Sequence, residues 1–125
     1  MYYVTKELKF DSAHYLNGYK GACQNLHGHT WHIAVMLAGN ELDEVGMLID
    51  FKKVKAIVNG FIISRFDHKL LNDVIPFNPT AENLAKFIYD NLSEKILELE
   101  EGRVVVQLVK VWENYPESSV VYQQP

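Results

Sequence analysis

Tyr2-Tyr3-Val4-Thr5-Lys6-Glu7-Leu8-Lys9-Phe10-Asp11-Ser12-Ala13-His14 is the stretch on which the fold turns. Its even positions (Tyr2, Val4, Lys6, Leu8, Phe10, Ser12, His14) are mostly apolar, and its odd positions are mostly polar. A period of two with one apolar face marks a half-buried strand. Residues 15–26 hold Asn17-Gly18, Gly21 and Asn25 and read as a loop. Residues 27–38, rich in Thr, Trp, Ile and Val, read as a second strand.

Two helices follow. Asp50 is placed to cap the first, whose stripe runs Val54, Ile57, Val58, Phe61, Ile62 at i, i+3, i+4, i+7, i+8. Gly60 weakens that helix by roughly 1 kcal/mol relative to Ala without forbidding it. Residues 64–79 contain Asp67-His68, Asn72-Asp73, Pro76 and Pro79 and read as an ordered connection. Thr80 reads as the N-cap of the second helix, with Ala81, Leu84, Ala85, Ile88, Leu92, Ile96 and Leu99 on one face and Gly102 as its stop.

Residues 103–113 form a third, Val-rich strand, and Ser119 to Tyr122 a short last one after a turn at Tyr115-Pro116-Glu117-Ser118. The order β-β-α-α-β-β favours α+β, with a four-stranded antiparallel sheet and two helices on one face. Strict alternation puts Val105, Val109 and Val111 on one face of the third strand and Val104, Val106, Leu108 and Trp112 on the other. Both faces are apolar, so both are expected to be covered, one by helices and one by copies of the same sheet.

The 125 residues suit a single domain, 1–125. A net charge of −4 is a poor match to a nucleic-acid binder. No run reaches the roughly 18 apolar residues of a membrane span. The first residues lack a signal-peptide pattern and there is one cysteine, so the cytoplasm is the expected compartment.

Four of the five histidines lie between positions 14 and 32. His27-Gly28-His29 places two imidazoles on one face of a strand, with Cα atoms roughly 6.5–7 Å apart. Alone, the pair reads more readily as hydrogen-bonded or exposed histidines. If the first two strands form a hairpin, His14 adds a third nitrogen and brings a metal site level with that reading. Three histidines with an open fourth position describe a catalytic zinc centre. His32 faces the other side and reads as structural. Cys23 is either a small buried hydrophobe or a thiol activated by a nearby cation. Asp67-His68 on its own reads as a turn with a capping Asp. Glu113 closes an apolar stripe, either as a solvated strand end or as a carboxylate able to accept two parallel N–H bonds from a planar ligand.

Six motifs occur in an order that resembles the 6-pyruvoyl-tetrahydropterin synthase family, and most closely its bacterial 6-carboxytetrahydropterin synthase branch. They are Phe10-Asp11-Ser12-Ala13-His14, Cys23 to His29, Gly46 to Phe51, Asp67 to Asn72, Pro79 to Leu84, and Trp112-Glu113. The resemblance implies the tunnelling fold, in which three sheets close into a barrel and two trimers stack into a homohexamer with sites at subunit interfaces. It implies Zn2+ on His14, His27 and His29. It also implies Cys23 as catalytic base, Asp67 and His68 as a proton-relay pair, and Glu113, with Thr80, on the pterin.

The implied reaction converts 7,8-dihydroneopterin triphosphate to 6-carboxy-5,6,7,8-tetrahydropterin, releasing acetaldehyde and triphosphate, on the route to queuosine. Three residues, Gln24, Asn25 and Leu26, separate Cys23 from His27. That spacing resembles the carboxy-forming branch; pyruvoyl synthases tend to have a longer one. An aldolase-like branch carries glutamate in place of the cysteine. Asn114-Tyr115-Pro116 after Glu113 departs from the Thr and small residues common in the family. The alternatives are a 6-pyruvoyl-tetrahydropterin synthase and a non-catalytic zinc- and pterin-binding oligomer. Lys20, Lys52, Lys53 and Lys69 are available to the triphosphate.

Overall fold

The computed structural model describes residues 1–18, 21 and 24–125. Strands β1 (Tyr2–His14) and β2 (His27–Gly39) pair antiparallel over their whole length, from Tyr2 opposite Gly39 to His14 opposite His27. A two-residue strand, β3 (Lys69–Leu70), runs parallel to Ser12–Ala13 of β1. Strand β4 (Val105–Asn114) pairs antiparallel with β2, and β5 (Ser118–Tyr122) with β4. The sheet order is β3-β1-β2-β4-β5. The four expected antiparallel strands are all present. The addition is β3, too short to carry a period of its own, which makes the sheet five-stranded and mixed.

Helix α1 (Phe51–Val58) begins at Asp50, whose carboxylate accepts the Lys52 N–H at 2.8 Å. It runs into a π-helical segment, Asn59–Ile63, and then α2 (Ser64–Phe66). A π turn holds more residues than an α turn, so the apolar stripe slips. Ile62 and Phe66 continue the buried face of Val54, Ile57 and Val58, while Phe61, expected on that face, is 37% exposed. After α3 (Leu71–Val74) comes α4 (Ala81–Leu99). The Thr80 hydroxyl caps α4 by accepting the Asn83 N–H at 3.1 Å. Gly102, at φ +78°, ends it, donating its N–H to the Leu97 carbonyl at 3.0 Å. Leu84, Ala85, Ile88, Leu92 and Ile96 are buried as the pattern requires, and each buried Leu or Ile contributes roughly 1.5–3 kcal/mol. Leu99, expected on the same stripe, is exposed in the last turn.

The helices cover one face of the sheet, where Phe10, Trp31, Ile33, Val35, Leu37, Val109 and Val111 join a single core. Register in β4 shifts between the partners of Met36 and Leu37, leaving Gln107 as an extra residue. A bulge reverses the alternation beyond it. Val106 therefore joins Val109 and Val111 in the core, and Val105 is 44% exposed, the reverse of strict alternation. On the other face Trp112 is buried under the Tyr115 ring and the Lys110 ammonium. No helix among the described residues is long and apolar enough to cross a membrane.

Candidate functional site

The β1–β2 register sets His14 opposite His27 on the helix-covered face, and His29 follows two residues on. The three rings converge, with centroids 4.6 Å (His14–His27), 5.1 Å (His14–His29) and 4.7 Å (His27–His29) apart. Trp31, fully buried, packs edge-on against His14 and His29 and walls the site off from the core.

The backbone fixes two of the tautomers. His14 Nδ1 lies 2.8 Å from the Pro79 carbonyl, and His27 Nδ1 lies 2.6 Å from the Asn25 carbonyl. A carbonyl only accepts, so each ring carries its proton on Nδ1 and presents its Nε2 lone pair. Those two Nε2 atoms face each other at 3.0 Å. Two lone pairs at that distance repel unless a cation or a proton lies between them. Glu113 Oε1 is 3.0 Å from His29 Nε2, yet off the hydrogen-bonding direction, and His29 Nε2 has no hydrogen-bond partner. One donor atom from each of His14, His27, His29 and Glu113 lies within 4.8 Å of all the others. Three imidazoles and a carboxylate form the donor set a zinc-type ion takes, and carbonyls behind the ligating rings are its usual support.

Burial, with a smaller push from neighbouring imidazoles, lowers the proton affinity of His14 and His29 below the ordinary histidine range. The Pro79 carbonyl and Glu113 oppose this at His14, and Glu113 opposes it at His29. The neutral ring, the form that coordinates a metal, is favoured. A second bulge aims Glu113, since the β4–β5 register shifts between Trp112 and Asn114. Glu113 and His29 share a cavity of about 420 Å³ with Gly28, Thr30, His32 and Tyr115. His32 points away from the three converging rings and stacks on Tyr115, centroids 4.1 Å apart.

Asp67 and His68 form a separate group against β1. Asp67 Oδ1 accepts the Asp11 N–H at 3.0 Å, and its Oδ2 lies 3.0 Å from His68 Nδ1. The His68 N–H donates to the Asp11 carbonyl at 2.7 Å, with His68 at φ +59°. The Asp11 N–H first, and His68 after it, hold the Asp67 carboxyl below the usual range. The two side chains are therefore in contact and anchored to the Asp11 main chain, not merely adjacent residues in a turn. The His68 side chain is 79% exposed and is not one of the four converging groups. It shares with His29, Gly28 and Lys69 the wall of a cavity of about 590 Å³.

Cys23 and Lys20 lie outside the described residues. The Thr80 hydroxyl serves the α4 cap, next to the carbonyl that holds His14. Lys53 is paired with Glu100 at 2.5 Å. The sequence reading missed the Pro79 and Asn25 carbonyls, since main-chain oxygens leave no mark in a sequence. It also missed Asn72 and Asn78, which hold the chain leaving β1. Their signal was present inside, or next to, two of the quoted motifs.

Residues 3–125 match the family model for 6-pyruvoyl tetrahydropterin synthase. The chain is 32% identical to the 6-carboxy-5,6,7,8-tetrahydropterin synthase of Haemophilus influenzae, over 99% of this chain and 100% of that protein. It is 37% identical to the enzyme of the same name from Bacillus subtilis, over 84% of this chain and 75% of that one. The solved 6-pyruvoyl tetrahydropterin synthase of Caenorhabditis elegans superposes with a TM-score of 0.79 at 26% identity, covering 100% of this chain and 98% of that one. The Plasmodium falciparum protein of that name shares the fold with a TM-score of 0.76 at 19% identity, over 98% of this chain and 97% of the other. Similarity of this extent, along the whole sheet and both long helical regions, makes the chain a member of the 6-pyruvoyl tetrahydropterin synthase family.

Proposed function

We propose that this chain is a zinc-dependent 6-carboxy-5,6,7,8-tetrahydropterin synthase. It would convert 7,8-dihydroneopterin triphosphate to 6-carboxy-5,6,7,8-tetrahydropterin, acetaldehyde and triphosphate on the route to queuosine. The observation that carries the reading is the convergence of His14, His27 and His29 with Nε2 atoms unsatisfied or facing one another. The names of the relatives at 32% and 37% identity support the carboxy product, as does the three-residue spacing from Cys23 to His27.

His14, His27 and His29 would hold the zinc, which supplies Lewis acidity toward the substrate's side-chain oxygens and so acidifies the adjoining C–H. Cys23, as thiolate, takes that proton. His68, oriented by Asp67, exchanges protons with the side-chain oxygens. Glu113 accepts parallel N–H bonds from the pterin, beside Thr80. Trp31 keeps water from the buried side. Of the four lysines available to the triphosphate, Lys69 lines the cavity that His68 and His29 share. Hydrogen passes from the side chain to the ring, so no external reductant is required. Triphosphate leaves by elimination, and C–C cleavage then consumes one water, whose oxygen enters the new carboxylate, and releases acetaldehyde. The separation of His68 from the four converging groups, and its exposure, support sites completed by a neighbouring chain, as in the homohexamer the family resemblance implies.

The test is incubation of zinc-loaded protein with 7,8-dihydroneopterin triphosphate, with products read by liquid chromatography and mass spectrometry. Acetaldehyde with 6-carboxytetrahydropterin is expected. A 6-pyruvoyl product would reassign the chain to the activity named for the C. elegans neighbour. Zinc bound without turnover would favour a pterin-binding protein.

A further inference from the structure

We infer that Asn72 and Asn78 form a two-point amide clamp that positions His14 for the metal, an inference that rests on the metal reading above. Strand β1 ends at His14, and among the described residues no strand pairs with the chain beyond it. Asn72 takes that place at Tyr15: the Tyr15 N–H donates to Asn72 Oδ1 at 3.0 Å, and Asn72 Nδ2 donates to the Tyr15 carbonyl at 3.0 Å. Asn78 does the same two residues on, where the Asn17 N–H donates to Asn78 Oδ1 at 2.9 Å and Asn78 Nδ2 donates to the Asn17 carbonyl at 3.0 Å. Each side-chain amide thus mimics the peptide of an absent neighbouring strand, offering one donor and one acceptor in register.

The clamp is itself anchored. The Asn78 carbonyl accepts the Thr80 N–H and Asn83 Nδ2, both at 2.9 Å, at the start of α4. Between those anchors sits Pro79, whose carbonyl accepts His14 Nδ1 at 2.8 Å. The two amides fix the main chain that follows His14. The segment that carries Asn78 also supplies, from Pro79, the oxygen that sets the His14 tautomer. Groups that orient a ligating histidine typically account for about 10–100-fold in metal affinity. Asn72 and Asn78 are therefore positioning residues of the metal centre.

Asn→Asp keeps size and acceptor but loses the donor, leaving a carboxylate against a carbonyl. Zn2+ affinity would be measured by competition with a chromogenic chelator in wild type, Asn72→Asp, Asn78→Asp and His14→Ala. Asn72→Ser and Asn78→Ser would be measured in parallel, so that misfolding of an Asp variant does not decide the result. Asn91→Ala, which removes a side-chain bond within α4, is the control. The His14 tautomer of each metal-free protein would be read by 15N NMR.

The expected result is an affinity loss of about 10–100-fold in the clamp variants, with His14 no longer held as the Nδ1–H form, and no change in Asn91→Ala. Wild-type affinity in folded clamp variants, with affinity lost in His14→Ala, would overturn the clamp and leave the metal site standing. An unchanged tautomer in every clamp variant would overturn the clamp whether or not zinc binds. Failure of wild type to bind zinc would remove the metal reading and this inference together.

Discussion

Three imidazoles pressed together at a half-buried corner are costly unless something positive joins them, and the relief differs from ring to ring. His14 and His27 spend Nδ1 on carbonyls and have only Nε2 left to offer, while His29 keeps Glu113 close without a hydrogen bond. His27→Ala removes one of the two opposed Nε2 atoms and is expected to abolish zinc retention through gel filtration; unchanged metal content by elemental analysis would remove His27 from the ligand set. Glu113 lies at the margin of the group, which suits a residue shared between metal and ligand. Glu113→Gln is expected to weaken pterin binding more than zinc binding, and equal pterin affinity in the two proteins would contradict the anchor role. Cys23→Ala is expected to keep zinc and assembly while turnover falls by about 10²–10⁴, the usual worth of a positioned base. Full turnover in a zinc-loaded Cys23→Ala protein would exclude the thiol. The residue types of this site were legible in the sequence because histidine, cysteine and acid are rare enough to be seen. Their supports were not, because a carbonyl such as that of Pro79 has no letter of its own.

Most of the elements could be read from period and caps: the β1 alternation, the Asp50 and Thr80 caps, and the α4 face. The departures in the cores of the elements come from irregular backbone. The π-helical turn at Asn59–Ile63 moves Phe61 out of the core, and the bulge at Gln107 exchanges Val105 for Val106. A pattern rule assumes constant phase, so one extra residue defeats it without any unusual composition to announce it. The same kind of irregularity builds function. The bulge at Glu113 turns an acid toward His29, and the break after α2 sets Asp67 against the β1 backbone. Asp67 joins these two elements as an acceptor, and its folded proton affinity lies below the ordinary aspartate value of 3.8. A carboxyl with a depressed folded value contributes stability that is complete above the unfolded value and is lost as pH falls through the folded one. Asp67→Asn should therefore lower the urea midpoint near neutral pH, by a margin that shrinks as both proteins are taken below about pH 3.8. A margin independent of pH would mean that the ionised form of Asp67 holds nothing in place.

At the scale of the whole molecule, the sheet explains why the site looks divided. Strand β3 covers only Ser12 and Ala13 of β1, and Asp67 and His68 cap Asp11, so the outer edge of β1 from Tyr2 to Phe10 has no strand partner among the described residues, and β5 forms the opposite edge. Long open edges invite pairing with another chain, and charged side chains such as Lys6, Glu7 and Lys9 are the usual alternative protection. Closure of several sheets into a ring would satisfy both edges and bring the exposed His68 of one copy toward the His14–His27–His29 group of another. In solution the protein should then sediment with six times the mass of its 14.4 kDa chain. Mass alone would not show shared sites, but complementation would. Cys23→Ala and His68→Ala are each expected to be inactive alone. If one site draws Cys23 from one chain and His68 from its neighbour, unfolding and refolding the two together creates interfaces with both groups intact, and part of the activity returns. If each site is built within one chain, every site in the mixture lacks one group, and the refolded mixture stays as inactive as its parents. Recovery that rises with the proportion of mixed oligomers would therefore tie catalysis to the closed sheet, and a hexamer without recovery would leave the edges paired but the chemistry confined to a single chain.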